Sequence, residues 1–419
     1  MARRKAPATA AVTAEPSERR QAIDLTVDTE KLALLLALAE CAIGDSPVTK
    51  CAYLYVSDDA LTVKTVNAQL RIESSMKIDK VSGTASFLVD FDRFSTAITA
   101  CGKEPGRLRW NKDSGKLLIT SSGKRFDLST LHSYDFPPPP ESQGAKACIE
   151  IKASDLAWSI NATSYAVPRS KERMHLQKIN VIMDATSIKA LGTNGQIASV
   201  ATIQTESDLK EQSVVHIGLN GFPLLSQLLR GDATVTITEC ESYITIVTGF
   251  ATVWIASTEG APPTHVGDLG THDPVASAIV DRKTLASAIR TISKLSDAQE
   301  LRPLFLEFTA KGLAVSNKGY EEFAARELVP VISVGKVGRH ICINRKWLLD
   351  ACVWTGGSML IEMAKNDLGP YLMLKTVVAD SSETRSAVTY LMSIADDSGY
   401  QPQSQFEESE AEPSAEDVA

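Results

Sequence analysis

One strand–helix pattern occurs three times along this 419-residue chain. Each copy opens with alternating apolar and polar residues and continues into a helical segment, whose first leucine is Leu32, Leu156 or Leu285. These leucines are 124 and 129 residues apart, and self-similarity at a nearly fixed spacing indicates repeated structural units. The sequence therefore predicts three copies of one domain.

A second strand–helix pair follows in each copy. Polar residues that suit a helix N-cap stand at Asp92, Asn220 and Asn344, and glycines that suit a helix end stand at Gly102, Gly231 and Gly356. Short alternating strands separated by turn residues come next, which is typical of antiparallel sheet. Each copy is therefore predicted to be an α+β domain in which two helices pack on one side of an antiparallel sheet.

Proline- and glycine-rich segments at 135–144 and 259–270 separate the copies, as expected for connectors. The predicted division is a disordered basic tail at 1–20, domains at 21–144, 145–272 and 273–396, and a disordered acidic tail at 397–419. The basic tail has no apolar core of the kind that a secretion signal contains. No apolar run approaches the roughly 20 residues that a membrane span needs, so we expect a cytoplasmic protein with no membrane partner.

The sequence contains none of the common catalytic motifs. A P-loop, a GxSxG elbow and an HExxH helix are all absent from it, and the turn Gly192–Gly195 lacks the lysine that a phosphate loop needs. The seven cysteines and six histidines are dispersed, without any CxxC pair. We therefore expect reduced thiols, no metal site, no cofactor and no enzymatic activity.

The net charge of −8 is concentrated at one end of the chain. Residues 396–419 contain eight acids and neither lysine nor arginine, so the remaining residues are neutral in sum. Binding to nucleic acid depends on where charges lie rather than on their total, and a neutral chain can still carry one basic face. The charge therefore leaves a nucleic-acid partner open.

Residues 124–131, KRFDLSTL, alternate strictly in polarity. Phe126 and Leu128 point to one side and Arg125, Asp127 and Ser129 to the other, which predicts a strand with one solvated face. Four prolines at 137–140 end the segment.

Four segments in order resemble one known family. They are FDLSTL at 126–131 with the following DFP at 135–137, LGTNGQI at 191–197, the helix opening Ile343-Asn344, and YLMSI at 390–394. On the triple repeat, these segments are similar to the bacterial sliding clamps, the β subunits of DNA polymerase III, over about residues 22–395.

The resemblance implies three such domains per chain and two chains joined head to tail into a six-domain ring. Helices would line the hole and the sheets would lie outside. Such a homodimer encircles double-stranded DNA without reading its sequence. It tethers the DNA polymerase III catalytic subunit, the clamp loader and other proteins that carry a clamp-binding motif.

The resemblance also implies three sets of site residues. The lumen candidates for DNA contact are Arg93, Lys103, Arg169, Lys171, Arg173, Arg230, Arg282, Lys283, Arg290, Lys294, Arg345 and Lys346. The partner-peptide groove would consist of Leu176, Thr193, Gly195, Pro263, Asn344, Trp347, Met392, Ser393 and Ile394. The dimer interface would pack Phe126 and Leu128 against the segment around Ile292 and Leu295.

Two positions depart from the family pattern. Leu219-Asn220 stands where many members have a basic pair, and His175 stands where a tyrosine is common. These departures keep an alternative open, in which the chain is a clamp-like scaffold for protein partners that is not loaded as the main replication clamp.

Overall fold

The computed structural model describes residues 22–57, 59–79, 81–140, 147–207, 209–219, 221–229, 233–257, 263, 266, 271–294, 303–317, 325–354, 357–367, 369–376 and 384–394. Within these residues, the helices are α1 (Thr29–Glu40), α2 (Phe91–Cys101), α3 (Ala153–Ser164), α4 (Gly221–Leu228), α5 (Arg282–Lys294) and α6 (Arg345–Trp354). Two 3₁₀ segments, Ser133–Asp135 and Lys171–Leu176, accompany them.

The strands follow in chain order. The first nine are β1 (Ala22–Val27), β2 (Cys51–Val56), β3 (Ala60–Val66), β4 (Leu70–Lys77), β5 (Val81–Ser82), β6 (Ala85–Asp90), β7 (Gly106–Asn111), β8 (Lys116–Ser121) and β9 (Lys124–Leu131). The next eight are β10 (Ala147–Lys152), β11 (Lys178–Met183), β12 (Ser187–Thr193), β13 (Ile197–Gln204), β14 (Ser213–Gly218), β15 (Thr234–Glu239), β16 (Tyr243–Val247) and β17 (Ala251–Ala256). The last nine are β18 (Ala276–Asp281), β19 (Pro303–Thr309), β20 (Gly312–Ser316), β21 (Arg326–Val329), β22 (Val331–Val334), β23 (Arg339–Asn344), β24 (Ser358–Asn366), β25 (Gly369–Thr376) and β26 (Arg385–Met392).

The chain divides into two compact units. The first comprises Met1–Ser142 and Ile246–Ala256, and the second comprises Gln143–Thr245 and Ser257–Ala419. The second unit thus holds most of the second and all of the third sequence repeat. A division into two units does not test the limits of three domains, which stay a prediction. Each repeat contributes two helices, and all the strand pairs described by register are antiparallel, as predicted for an α+β fold.

The first unit is one antiparallel sheet with two helices packed on it. The strand order is β17, β4, β3, β2, β6, β9, β8, β7, β1 and β5. Strand β17 belongs to this unit because it pairs with β4, from Ala251 opposite Ser74 to Ile255 opposite Leu70. Leu32 and Leu36 of α1 and Phe94 of α2 are fully buried in the core that both helices share with the sheet.

Arg71 fixes the proline segment to the sheet of the first unit. Its side chain is 4% exposed, and its guanidinium donates to the carbonyl oxygen of Pro137 at 2.6 Å and to Glu73 Oε1 at 2.7 Å. The same guanidinium lies 5.3 Å from the ring centre of Phe136 and 5.8 Å from that of Trp254. A buried guanidinium needs such partners, because an unpaired buried charge is strongly destabilising.

The second unit contains three groups of strands. The largest is a nine-stranded sheet in the order β14, β11, β12, β13, β26, β25, β24, β18 and β22. A four-stranded sheet has the order β21, β20, β19 and β23, and β10, β15 and β16 are neighbours in that order. Helices α5 and α6 share one core with the nine-stranded and four-stranded sheets, and this core includes Leu285, Ile289 and Leu348.

The two predicted ends of α2 can be compared with the structure. The N-cap of α2 is Asp90, whose Oδ1 accepts a hydrogen bond from the Arg93 amide at 3.0 Å, so the prediction of Asp92 was wrong by half a turn. Asp92 lies in the first turn, where its carboxylate interacts favourably with the positive end of the helix dipole. Gly102 ends α2 with φ +70°, as predicted, while Asn220, Gly231 and Gly356 lie outside the described residues.

We expect Gly192→Ala to destabilise the second unit. A Cβ at Gly192 would overlap the carbonyl oxygen of Thr163, at the end of α3, because strand β12 passes directly beneath that helix. Overpacking of this kind costs about 1–3 kcal/mol. Gly249→Ala is the matched control, since a Cβ there meets nothing within 4 Å. Thermal melting of both variants tests the prediction, and equal midpoints would contradict it.

His216 should make stability depend on pH. Burial, with a smaller effect of Lys178, lowers its pKa to about 4 from 6.5, so the unfolded chain binds more protons between these values. Stability from His216 is present above pH 6.5 and is lost as the pH falls toward 4, by about 2 kcal/mol between pH 7 and pH 5. His216→Gln should reduce the drop in melting temperature between pH 7 and pH 5. Exposed His132→Gln should leave the drop unchanged, and equal drops in all three proteins would refute the assignment.

Candidate partner groove and nucleic-acid interface

Strands β13 and β26 bring the predicted groove residues together. They pair over seven residues, from Ile197 opposite Leu391 to Ile203 opposite Arg385. The Met392 amide then donates to the carbonyl oxygen of Gln196 at 2.9 Å. The end of β26 therefore lies beside the turn that precedes β13, although the two segments are nearly 200 residues apart in the sequence.

The turn at 193–197 is held by its own side chains. Thr193 Oγ1 donates to the carbonyl oxygen of Ile197 at 2.8 Å and accepts from the Gly195 amide at 3.0 Å. Asn194 Oδ1 accepts from the amides of Gln196 and Ile197, both at 2.9 Å. Gly195 has φ +89°, a left-handed conformation that favours glycine, so Thr193 and Gly195 have structural roles in this turn.

Two further backbone hydrogen bonds fix the segment after β26. The Ser393 amide donates to the carbonyl oxygen of Pro370 at 3.2 Å, and the Ile394 amide donates to that of Cys342 at 2.9 Å. Cys342 lies in β23, two residues before Asn344. Met392, Ser393 and Ile394 are half-buried, so part of each side chain remains available to a partner.

Asn344 and Trp347 form the start of α6. Asn344 is 3% exposed, and its Oδ1 accepts from the amides of Lys346 at 2.9 Å and Trp347 at 3.4 Å, which matches the predicted N-cap. Trp347 is half-buried and packs against the core shared by α5 and α6. It therefore has both a structural contact and an exposed portion.

Leu176 and Pro263, the remaining groove candidates, are both half-buried. Leu176 ends the 3₁₀ segment Lys171–Leu176, and this segment is tied to the turn because the Arg173 guanidinium donates to the carbonyl oxygen of Asn194. Among the described residues, no hydrogen bond links Pro263 to the other groove candidates.

An apolar layer beside these residues was missed by the sequence reasoning. Leu191, Ala198 and Val266 are buried together, with Val200 and Tyr390 packed against them. Burial, with a smaller effect of Tyr371, raises the pKa of Tyr390. Alternation along β26 could have revealed Tyr390, because it lies two residues before Met392 and so on the same face of the strand.

Polar contacts hold α3 against β26, next to the predicted groove residues. Arg385 Nε donates to Asp155 Oδ1 at 2.6 Å, and its guanidinium lies 5.9 Å from the ring centre of Trp158. The hydroxyl oxygens of Tyr165 and Thr389 are 2.5 Å apart. These buried and half-buried hydrogen bonds tie the second repeat to the third within one unit.

Most of the predicted DNA-contact residues are exposed. The exposed ones are Arg93, Lys103, Arg169, Arg173, Lys283, Arg290, Lys294 and Lys346, and the half-buried ones are Arg282 and Arg345. Arg230 and the side chain of Lys171 lie outside the part of the chain that the structure describes. Lys103 forms an ion pair with Glu30 at 3.4 Å, and Arg282 Nη1 donates to the carbonyl oxygen of Cys352 at 3.3 Å. Arg93 and Lys103 belong to the first unit, and the other described members of the set belong to the second.

Residues of the predicted dimer interface differ in accessibility. Strand β9 alternates as predicted, and Phe126 and Leu128 are half-buried against the core of the first unit. Ile292 is 1% exposed in the core around α5, so its side chain is not available for a contact between subunits, and that part of the prediction needs correction. Leu295 lies outside the described residues.

One edge of β9 is largely unpaired. Strand β8 pairs with β9 from Ser121 opposite Lys124 to Lys116 opposite Ser129, whereas β6 pairs only with Thr130 and Leu131. The edge of residues 124–129 that faces away from β8 therefore has no partner strand among the described residues. Strand β21 is likewise the outer strand of its four-stranded sheet.

Comparisons with known proteins place this geometry in a structural class. No family model matches the chain. The β sliding clamp of Pseudomonas putida is 25% identical to it over 275 residues, which is 62% of this chain and 74% of that protein, and that of Pseudomonas aeruginosa is 25% identical over 272 residues. The crystal structure of the DNA polymerase III β subunit from Pseudomonas aeruginosa matches with a TM-score of 0.77 at 20% identity, over 89% of this chain and all of that one.

The chain has the β sliding clamp fold. The DNA polymerase III β subunit from Thermotoga maritima matches with a TM-score of 0.76 at 15% identity over the same share of this chain, so the likeness is not confined to one genus. A further clamp from Pseudomonas aeruginosa, whose structure matches with a TM-score of 0.79 at 20% identity, is bound to griselimycin.

Other features of this clamp fold bear on the sequence-based expectations. The seven cysteines are free thiols, of which Cys148 is exposed. In the described residues, no group of three or more histidine, cysteine or acidic side chains could hold a metal ion. None of the helices in the described part of the chain is both long and apolar enough to cross a membrane.

Proposed function

We propose that this protein is a DNA sliding clamp, a processivity factor that encircles duplex DNA and tethers a replicative polymerase to it. The similarity to the β sliding clamp of Pseudomonas putida, 25% identity over 275 residues, carries the proposal, and the clamp fold over 89% of the chain supports it. The proposal assigns no catalytic residue and no cofactor. It places the protein in the cytoplasm, where the replicating DNA of a bacterium lies.

A tether must slide, and this requirement limits its chemistry. Contacts to base edges would stop it at particular sequences, so its contacts should go to phosphates and be weakened by salt. Retention on DNA then comes from closure of a ring. Low affinity for each phosphate is therefore compatible with long residence.

The ring would consist of two chains joined head to tail. An edge strand with unpaired amides and carbonyls pairs readily with another chain. We propose that the open edge of β9 in one protomer pairs with β21 in its partner. Leu131 and Leu328, which are 54% and 45% exposed, would gain burial at this joint. Two such joints, related by a twofold axis, close the ring.

The groove around Met392 and Trp347 would hold a short peptide motif from each partner. Apolar side chains bind the anchors of an extended peptide, and a few polar groups fix its backbone. The proposed partners are the DNA polymerase III catalytic subunit, the clamp loader and other proteins with a clamp-binding motif. All of them would compete for the same groove.

A specific observation supports the alternative of an unloaded, clamp-like scaffold. Helices α1 to α4 together contain only two basic residues, Lys31 and Arg93, against four acids. A scaffold would keep the groove and the clamp fold but would not increase the processivity of a polymerase. Primer extension with and without the protein and a clamp loader therefore separates the two functions.

The groove proposal predicts that Met392→Ala and Trp347→Ala each weaken peptide binding about tenfold or more, as truncation of a buried anchor contact does. Fluorescence anisotropy with a labelled clamp-binding peptide, containing a glutamine, a central leucine and an aromatic residue, measures the affinity. Leu34→Ala is the control, because Leu34 is an exposed apolar residue on α1. Equal affinities for folded Met392→Ala protein, Leu34→Ala protein and the unmodified protein would reject this groove.

The ring proposal predicts that the double change Phe126→Glu and Leu128→Glu yields folded monomers, because charges on the inner face of β9 oppose burial at the joint. Light scattering after size-exclusion chromatography gives the mass, and Ser129→Glu, on the solvated face of the same strand, should remain dimeric. If the double variant fails to melt like the unmodified protein, Leu328→Lys on β21 replaces it, since that side chain is 45% exposed. Folded variants that stay dimeric would refute the joint.

A further inference from the structure

The six helices differ sharply in charge. Helices α1 to α4 carry two bases and four acids, namely Lys31, Arg93, Glu30, Glu40, Asp92 and Asp155. Helices α5 and α6 carry six bases and one acid, namely Arg282, Lys283, Arg290, Lys294, Arg345, Lys346 and Asp350. Among the helices, a net positive charge is therefore found only in the third repeat, on α5 and α6.

The bases of α5 form a stripe along one face. Lys283, Ser287, Arg290 and Lys294 are spaced by four, three and four residues, so they lie above one another on the helix. All four are exposed, while Leu285, Ile289 and Ile292 face the core. We call these four residues the α5 stripe; at 1.5 Å per residue it is roughly 16 Å long.

The charges of the α5 stripe have little compensation within the described residues, where the Asp281 carboxylate, whose pKa is lowered mainly by hydrogen bonds from Thr284 and to a smaller extent by the charge of Lys283, is a nearby acid. None of the carboxylates there forms an ion pair with Lys283, Arg290 or Lys294. Two bases of the first unit differ, because Lys31 lies 3.4 Å from Asp28 and Lys103 lies 3.4 Å from Glu30. Unneutralised lysine and arginine side chains attract phosphate more strongly than paired ones, since no internal ion pair must first be broken.

The position of Lys283 is unfavourable for the helix itself. A cation in the first turn faces the positive end of the helix dipole, which opposes it by about 0.3–1 kcal/mol. Asp281, the residue before α5, accepts from the Thr284 amide at 2.8 Å and from Thr284 Oγ1 at 2.7 Å, so its carboxylate is engaged in capping. This N-cap interaction involves Thr284, so it does not explain why basic residues stand at the start of α5.

We propose that the α5 stripe is the main phosphate-contacting surface of this protein, so that duplex DNA rests on the third repeat of each protomer. The inference rests on the proposed clamp function and names which part of the ring touches the duplex. Helices α1 to α4, with two bases against four acids, would then contribute little attraction for the DNA. A duplex presents one negative charge per about 1.7 Å of its axis, so a stripe of this length always meets several phosphates whatever the sequence.

The test compares two triple variants of the full-length protein. One carries Lys283→Gln, Arg290→Gln and Lys294→Gln, and the matched control carries Lys31→Gln, Lys50→Gln and Lys112→Gln, three exposed first-unit lysines outside the predicted DNA-contact set. All six side chains are exposed, so both variants should melt like the unmodified protein. Fluorescence anisotropy with a blunt-ended duplex of mixed sequence gives the dissociation constant over a series of salt concentrations.

The stripe variant should bind more weakly, and its plot of log affinity against log salt should be shallower by about 2.7, since three phosphate contacts are lost. The control should change the slope by less than about 0.9, which is the value for one phosphate contact. Equal losses in the two variants, or an unchanged slope in the stripe variant, would overturn the proposal. Loading of the unmodified protein on nicked circular DNA is measured separately, so failure of the clamp function is distinguishable from failure of the stripe.

Discussion

The antiparallel pairing of β13 with β26 is the interaction on which the rest of the second unit depends. It runs over seven residues and joins the second repeat to the third as one continuous sheet. It also places the turn at Thr193–Gly195 beside Met392, whose amide donates to the carbonyl oxygen of Gln196. A slip of one residue in this register would turn Tyr390 and Met392 to the opposite face and remove the groove. The side-chain contacts of Arg385 with Asp155 and of Tyr165 with Thr389 oppose such a slip.

The proposed sliding function would account for the uneven distribution of charge among the helices. A ring that closes around DNA does not need many phosphate contacts, because dissociation requires the ring to open. Such a ring therefore does not need basic residues on every helix. The two bases and four acids of α1 to α4 are consistent with this. The departures from the family pattern at His175 and Leu219 therefore need not count against a clamp.

Much of the fold could be predicted from the sequence, because it depends on periodic patterns. The repeated helices, the alternation of Phe126 and Leu128 in β9 and the N-cap at Asn344 follow from local rules of spacing and hydrogen bonding. The error at Ile292 came from neglecting the helical period, which places this residue with Leu285 and Ile289 on the core face. Tertiary effects such as the burial of Arg71 and Tyr390, or the link between Arg173 and Asn194, depend on contacts between distant segments that no local pattern encodes.

We propose that closure of a ring, rather than affinity, holds this protein on DNA. The most direct test is to load it onto nicked circular DNA with a clamp loader, remove free protein by gel filtration, and then linearise the circle with a restriction enzyme. Our account predicts that the protein stays with the circle and is released through the ends after cutting. Retention on the linear DNA, or no stable association with the circle, would contradict it.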